Sequence, residues 1–161
     1  MATRIPLVLN AGQVQQIQSG DNIVVAAGQY SNDVLTNGES SQALVIGMPV
    51  YISAAATAKR AQANAASTSR VAGLWVDTST SASSSGNCAV SGRLTATTGQ
   101  WDAVAGTTGG LTFNTPYYLD PANPGKLTAT APTTVGQLVV LVGVAISSTD
   151  LEMDIQPPIL L

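Results

Sequence analysis

Three carboxylates alternate along Asp150-Leu151-Glu152-Met153-Asp154. In an extended strand that spacing puts all three on one face, where hard oxygen ligands could hold Ca²⁺. The same alternation, with Leu151, Met153 and Ile155 on the other side, is what a strand with one solvated face shows, and we read it that way. Trp101-Asp102 also carries chemistry: an indole able to stack on a sugar ring beside a carboxylate able to take its hydroxyls. A tryptophan in a short, turn-rich segment fits the plug of a β-barrel better, so Trp101 is expected in the core. Glycoside hydrolysis needs two carboxyl groups roughly 5–9.5 Å apart. Nothing in the order Asp77, Asp102, Asp120 marks such a pair.

Counting removes most other chemistry. There is no His and a single Cys, Cys88, so a Ser-His-Asp triad, a Cys/His zinc site and an intrachain disulfide are excluded. A nucleophilic serine in the Ser-rich stretch 79–86 has no base to activate it. Gly109-Gly110 lacks the Gly-Lys-Ser/Thr of a phosphate loop and reads as a turn. Cys88 is expected to be a buried, reduced thiol. No catalytic residue, cofactor or metal is assigned.

Only 9% of the 161 residues are charged, against about 25% in a typical soluble domain. The six cations, Arg4, Lys59, Arg60, Arg70, Arg93 and Lys126, are scattered and the net charge is −3, which argues against nucleic-acid binding. The longest apolar-or-Gly run, residues 138–146, is less than half of the roughly 20 residues a helix needs to cross a bilayer, so no membrane is expected. The start, Met1-Ala2-Thr3-Arg4-Ile5-Pro6, shows no signal peptide, and synthesis in the cytoplasm is expected. With 23 Ala, 18 Thr, 15 Ser and 15 Gly, the chain exchanges charge for small uncharged residues. A mean hydropathy of +0.24 argues for folding, not disorder.

Period-2 patterning dominates and predicts strands. Residues 14–18 and 23–25 flank Ser19-Gly20-Asp21-Asn22 as a hairpin, and 28–38 reads as a second Gly-bounded hairpin. Pro49-Val50-Tyr51-Ile52-Ser53 and Pro116-Tyr117-Tyr118-Leu119-Asp120 each open on a proline, which a first strand residue tolerates, and each then returns. Residues 138–146 read as one strand buried on both faces, and 100–105 as one or two helical turns before Gly106. A shift of 67 superposes the two Pro-led hairpins and places Lys59 on Lys126 without a gap. Three further residues of slack match 71–76 with 141–146, and a shorter loop matches 87–90 with 150–153, so Cys88 aligns with Leu151. Lys59 to Ala63 is then strand, although alanine-rich.

These readings predict an all-β fold: a small β-barrel or sandwich built from two similar hairpin-plus-two-strand units, residues 47–98 and 114–161, within a domain 47–161. A Gln/Asn-richer arm with β-hairpins, residues 1–46, precedes it. The apolar end Gln156-Pro157-Pro158-Ile159-Leu160-Leu161 is expected to dock on a neighbour or back onto its own barrel.

The strings Pro116-Tyr117-Tyr118-Leu119-Asp120, Pro124-Gly125-Lys126-Leu127-Thr128, Ala131-Pro132-Thr133, Val142-Gly143-Val144-Ala145-Ile146-Ser147 and the closing residues 155–161 resemble a β-rich module of tailed-bacteriophage virion proteins. The opening Ile5-Pro6-Leu7-Val8-Leu9, with Gly12-Gln13-Val14-Gln15-Gln16-Ile17 and Gly20-Asp21, is similar to the start of such small proteins. The resemblance implies a non-enzymatic homotrimer on the virion head surface, a capsid decoration (cement) protein whose partners are itself and the major capsid protein. The alternative is a short tail-fibre or adaptor module binding glycan through Trp75, Trp101, Tyr117 and Tyr118.

Overall fold

The computed structural model describes residues 30–161 and the backbone of 7–10 and 13–16. Strands β1 (Leu7–Asn10) and β2 (Gln13–Gln16) form an antiparallel pair of their own. The hairpin expected between 14–18 and 23–25 falls mostly outside the described residues. Nine strands share one sheet in the order β3-β5-β4-β6-β7-β12-β11-β8-β9. They are β3 (Tyr30–Asn37), β4 (Pro49–Ala54), β5 (Thr57–Arg60), β6 (Gly73–Trp75), β7 (Ser85–Thr95), β8 (Pro116–Leu119), β9 (Leu127–Thr128), β11 (Leu141–Ala145) and β12 (Asp150–Met153). A short ribbon pairs β10 (Leu138–Val139) with β13 (Ile159–Leu160), and α1 (Thr98–Ala105) is the one helix among the described residues. The fold is all-β, as the patterning predicts.

The sheet contains one unit twice. β5-β4-β6-β7 and β9-β8-β11-β12 are the same hairpin plus two strands, joined where β12 pairs with residues 92–95 of β7. Registers agree at the matched residues: Pro49 and Val50 face Leu74 and Gly73, and Pro116 and Tyr117 face Val144 and Gly143. Bonds outside the ladders repeat too. Gly47 N–H donates to the Trp75 carbonyl and Asn114 N–H to that of Ala145, each at 2.8 Å; Val76 N–H reaches Asn87 at 2.9 Å and Ile146 N–H reaches Asp150 at 3.0 Å. The match extends back to Leu44 and Leu111, whose N–H groups donate to Thr80 and Ser148, both at 3.0 Å.

Three details correct the sequence reading. The hairpins do not superpose without a gap: Ile52 pairs with Ala58, whereas its counterpart Leu119 pairs with Leu127, two positions beyond the match. The extra length is taken up by a turn in which Asp120 accepts from the N–H groups of Ala122 and Asn123, and a slip of two keeps every side chain on its own face. Residues 138–146 are two strands in different sheets, with burial that alternates except at the buried pair Val142-Gly143 instead of covering both faces throughout. The break falls at Val140, whose carbonyl accepts from Leu119 N–H, beside a register shift between Leu141 and Gly143. From Tyr30 to Asn37 the chain is one strand, not a hairpin, pairing antiparallel with β7 and parallel with β5.

That strand completes a circuit of pairings, β3–β5–β4–β6–β7–β3. Each of the five strands sends one side chain into the same buried cluster: Leu35, Val50, Ala58, Trp75 and Cys88. A second, larger core lies under the other unit and α1, around Trp101, Leu94, Tyr117, Leu119, Val142 and Leu151.

Candidate functional site

Helix α1 begins at a capping box. Thr97 accepts from Gln100 N–H, and the Gln100 side chain accepts from Thr97 N–H in return. It ends at Gly106 in the left-handed conformation. This short helix points Trp101 and Asp102 in different directions. Trp101 is fully buried, and its indole N–H donates to the Thr149 carbonyl at 2.8 Å. Asp102 receives Gly110 N–H at 2.8 Å, Thr107 Oγ1 at 2.9 Å and Gly109 N–H at 3.0 Å. These donors, Gly110 foremost, hold its carboxyl below the ordinary range. The pair is a core plug and a turn anchor, not a sugar platform. Gly109-Gly110 is the expected turn, with both φ angles positive.

Asp150 and Glu152 on β12 do face one way, with Asp154 just beyond the strand, but each of the three is engaged separately. Asp150 accepts from the hydroxyls of Ser147, Thr95 and Thr149, with Ser147 the largest influence, and its pKa is lowered. Glu152 pairs with Arg93 across the ladder at 3.3 Å, and Asp154 takes the Gln156 amide. Among the described residues no three His, Cys, Asp or Glu side chains converge as metal ligands, and no helix is long and apolar enough to cross a membrane. Asp77 binds Asn87 and Thr80 while Asp120 binds its own turn, so Asp77, Asp102 and Asp120 share no partner. The repeat preserves even a polar contact with donor and acceptor exchanged: Asn87 donates to Asp77, and at the matched positions Ser147 donates to Asp150.

Cys88 is buried against β6, and burial, then the charge of Asp33, raises its pKa to about 12, so the thiol stays protonated and unreactive at neutral pH. The Ser-rich stretch is tied to the body through paired bonds between Leu44 and Thr80. Trp75, Trp101 and Tyr117 are all fully buried, leaving Tyr118 alone among the four proposed stacking rings with partial exposure. Sequence patterning missed the Arg60–Glu39 ion pair at 3.2 Å, because 21 residues and no motif separate its members.

The chain's end combines both expected behaviours. Its backbone docks on its own molecule, with Leu161 N–H donating to Gln137 and Gly136 N–H to Leu161. Its side chains do not dock: Ile159, Leu160 and Leu161, with Val135 nearby, are exposed. What this arrangement offers a partner is therefore apolar surface. No known protein family, curated protein or solved structure matches the chain.

The held carboxylates predict a pH profile. In Glu39, burial opposes ionisation but the Arg60 hydrogen bonds and charge outweigh it, so Glu39, Asp102 and Asp150 all have lowered folded-state pKa values. Depressed groups stabilise the fold above their ordinary values of 3.8 for Asp and 4.5 for Glu, and that contribution is lost as pH falls. With no His to titrate, thermal midpoints followed by circular dichroism should be level between about pH 5 and 8 and fall below about pH 4. A decline already under way at pH 6 would contradict this assignment.

Proposed function

We propose that the chain is a non-enzymatic structural component of a tailed-bacteriophage virion, a decoration protein that trimerises and stabilises the assembled head by contact with the major capsid protein. The observation that carries this reading is the apolar tip formed by Val135, Ile159, Leu160 and Leu161 on a ribbon outside the main sheet. Apolar side chains fixed by backbone pairing are suited to contact with a large partner. The low charge supports the same role, since apolar contacts lose little to ionic screening. Burial of Trp75, Trp101 and Tyr117 weighs against the glycan-binding fibre alternative.

Co-sedimentation with expanded capsids, and separately with unassembled major capsid protein, tests the proposal. The chain should bind shells to a fixed ratio and leave free subunits alone. Ile159→Ser with Leu160→Ser should weaken shell binding by about tenfold or more through lost apolar burial. Stoichiometric binding to free subunits, or no binding to shells, would refute it.

A further inference from the structure

Asn37-Gly38 is the one Asn-Gly pair in the chain. In that dipeptide no side chain shields the glycine nitrogen from the asparagine carboxamide, so an unrestrained chain readily closes a five-membered succinimide ring there. Asn37 is the last residue of β3 and is fully buried. Its Nδ2 donates to the Thr80 carbonyl at 2.8 Å and to the Gln42 carbonyl at 2.9 Å, while its Oδ1 accepts from Glu39 N–H at 2.9 Å. The backbone is held as well. Asn37 N–H donates to the Ser84 carbonyl at 2.9 Å, and Ser83 N–H donates to the Asn37 carbonyl at 2.8 Å. One residue thus gathers β3, the segment 39–42 and the Ser-rich stretch.

Gly38 is equally constrained. Its N–H donates to the Ala58 carbonyl at 2.8 Å, and a Cβ there would lie 2.5 Å from Thr57 Cγ2. The fold therefore favours, side by side, the two residues whose combination is chemically least durable. The same bonds block the reaction. Ring closure needs the Gly38 nitrogen to lose its proton and attack Asn37 Cγ, which means giving up the Ala58 carbonyl and turning the carboxamide away from Thr80 and Gln42.

We propose that Asn37-Gly38 is a self-modification site that the native fold holds shut, and that hydrolytic deamidation there makes an opening of this region irreversible. The Gly38 N–Cγ bond forms as the Cγ–Nδ2 bond breaks, and ammonia leaves with the proton given up by the Gly38 nitrogen. One water then opens the imide to an aspartyl or isoaspartyl chain. Neither product fits the native site. An aspartyl carboxylate offers only acceptors where the Thr80 and Gln42 carbonyls need donors, at a position closed to solvent. An isoaspartyl link adds a methylene to the main chain where Asn37 pairs in parallel register with Ala58. The working lifetime of the molecule then depends on how often this region opens. The chemistry is the same whether or not the chain belongs to a virion.

The test incubates the full chain in mildly alkaline buffer, with and without urea above its unfolding midpoint, and follows each asparagine by digestion and mass spectrometry. Conversion at Asn37 should be about 100-fold slower or more in the native chain, because it waits on opening of a protected region. In urea it should outpace conversion at Asn32, Asn64 and Asn87, none of which precedes glycine. Asn37→Asp carries the product carboxylate on an ordinary backbone. That variant should either fail to accumulate as folded protein or show an unfolding equilibrium constant raised about 30-fold or more. Asn64→Asp, at an exposed position, should match wild type. No conversion in urea, native conversion as fast as in urea, or no preference for Asn37 in the unfolded chain would refute the shut site. An Asn37→Asp chain as stable as wild type would refute the irreversibility.

Discussion

Trp101→Ala is expected to destabilise the fold by about 4 kcal/mol, in the middle of the range for loss of a buried aromatic side chain. The ring fills the space between α1 and the turn at Gly47, and Gly47 has no side chain with which to fill it. The same change leaves the Thr149 carbonyl without its indole donor. Equilibrium urea unfolding measures the loss, and Trp101→Phe should retain part of it by keeping most of the apolar contact. A loss below about 1.5 kcal/mol would mean that the turn collapses into the vacated space.

The second large effect is a matched pair. A Cβ on Gly73 would fall 2.2 Å from the Ala89 carbonyl oxygen, and one on Gly143 would fall 2.3 Å from that of Glu152. Ala89 and Glu152 are themselves counterparts in the repeat, so one close approach of strands has been kept twice. Both obstacles are backbone, which cannot swing aside. Gly73→Ala and Gly143→Ala should each cost about 3 kcal/mol or more, or abolish soluble expression. Gly99→Ala is the control: nothing lies within 4 Å of that Cβ in the first turn of α1, and stability should rise by up to about 1 kcal/mol. Unequal responses at Gly73 and Gly143, one severe and one negligible, would show that the two sites are not mechanically equivalent.

Much of this architecture is legible in the residues because it is local. Prolines open β4 and β8, Thr97 and Gln100 announce α1, and glycine recurs where two strands come closest. What escapes the sequence is non-local. Asn32-Asp33 looks like turn chemistry, yet it lies within β3 beside a bulge, because β7, some 55 residues away, supplies the ladder. Residue type likewise does not say which aromatic is covered. Trp75 and Trp101 lie in the core and Phe113 lies outside it, and only the repeat's geometry separates them. The carboxylate spacing on β12 reads correctly as one face, but the hydroxyls that occupy Asp150 come from β7 and from the turn at 147–149.

The two prolines after β12 remove backbone donors at positions where the first unit uses them. In the first unit, residues 92–95 of β7 recruit the next strand through backbone hydrogen bonds. The matching residues 155–158 contain Pro157 and Pro158, which have no N–H to offer an incoming strand. An added strand, the step by which β-rich chains polymerise into fibrils, would find no N–H donor at those two residues. A chain so poor in charge has little electrostatic repulsion to keep its copies apart, which gives the missing donors at this position added weight against strand addition there.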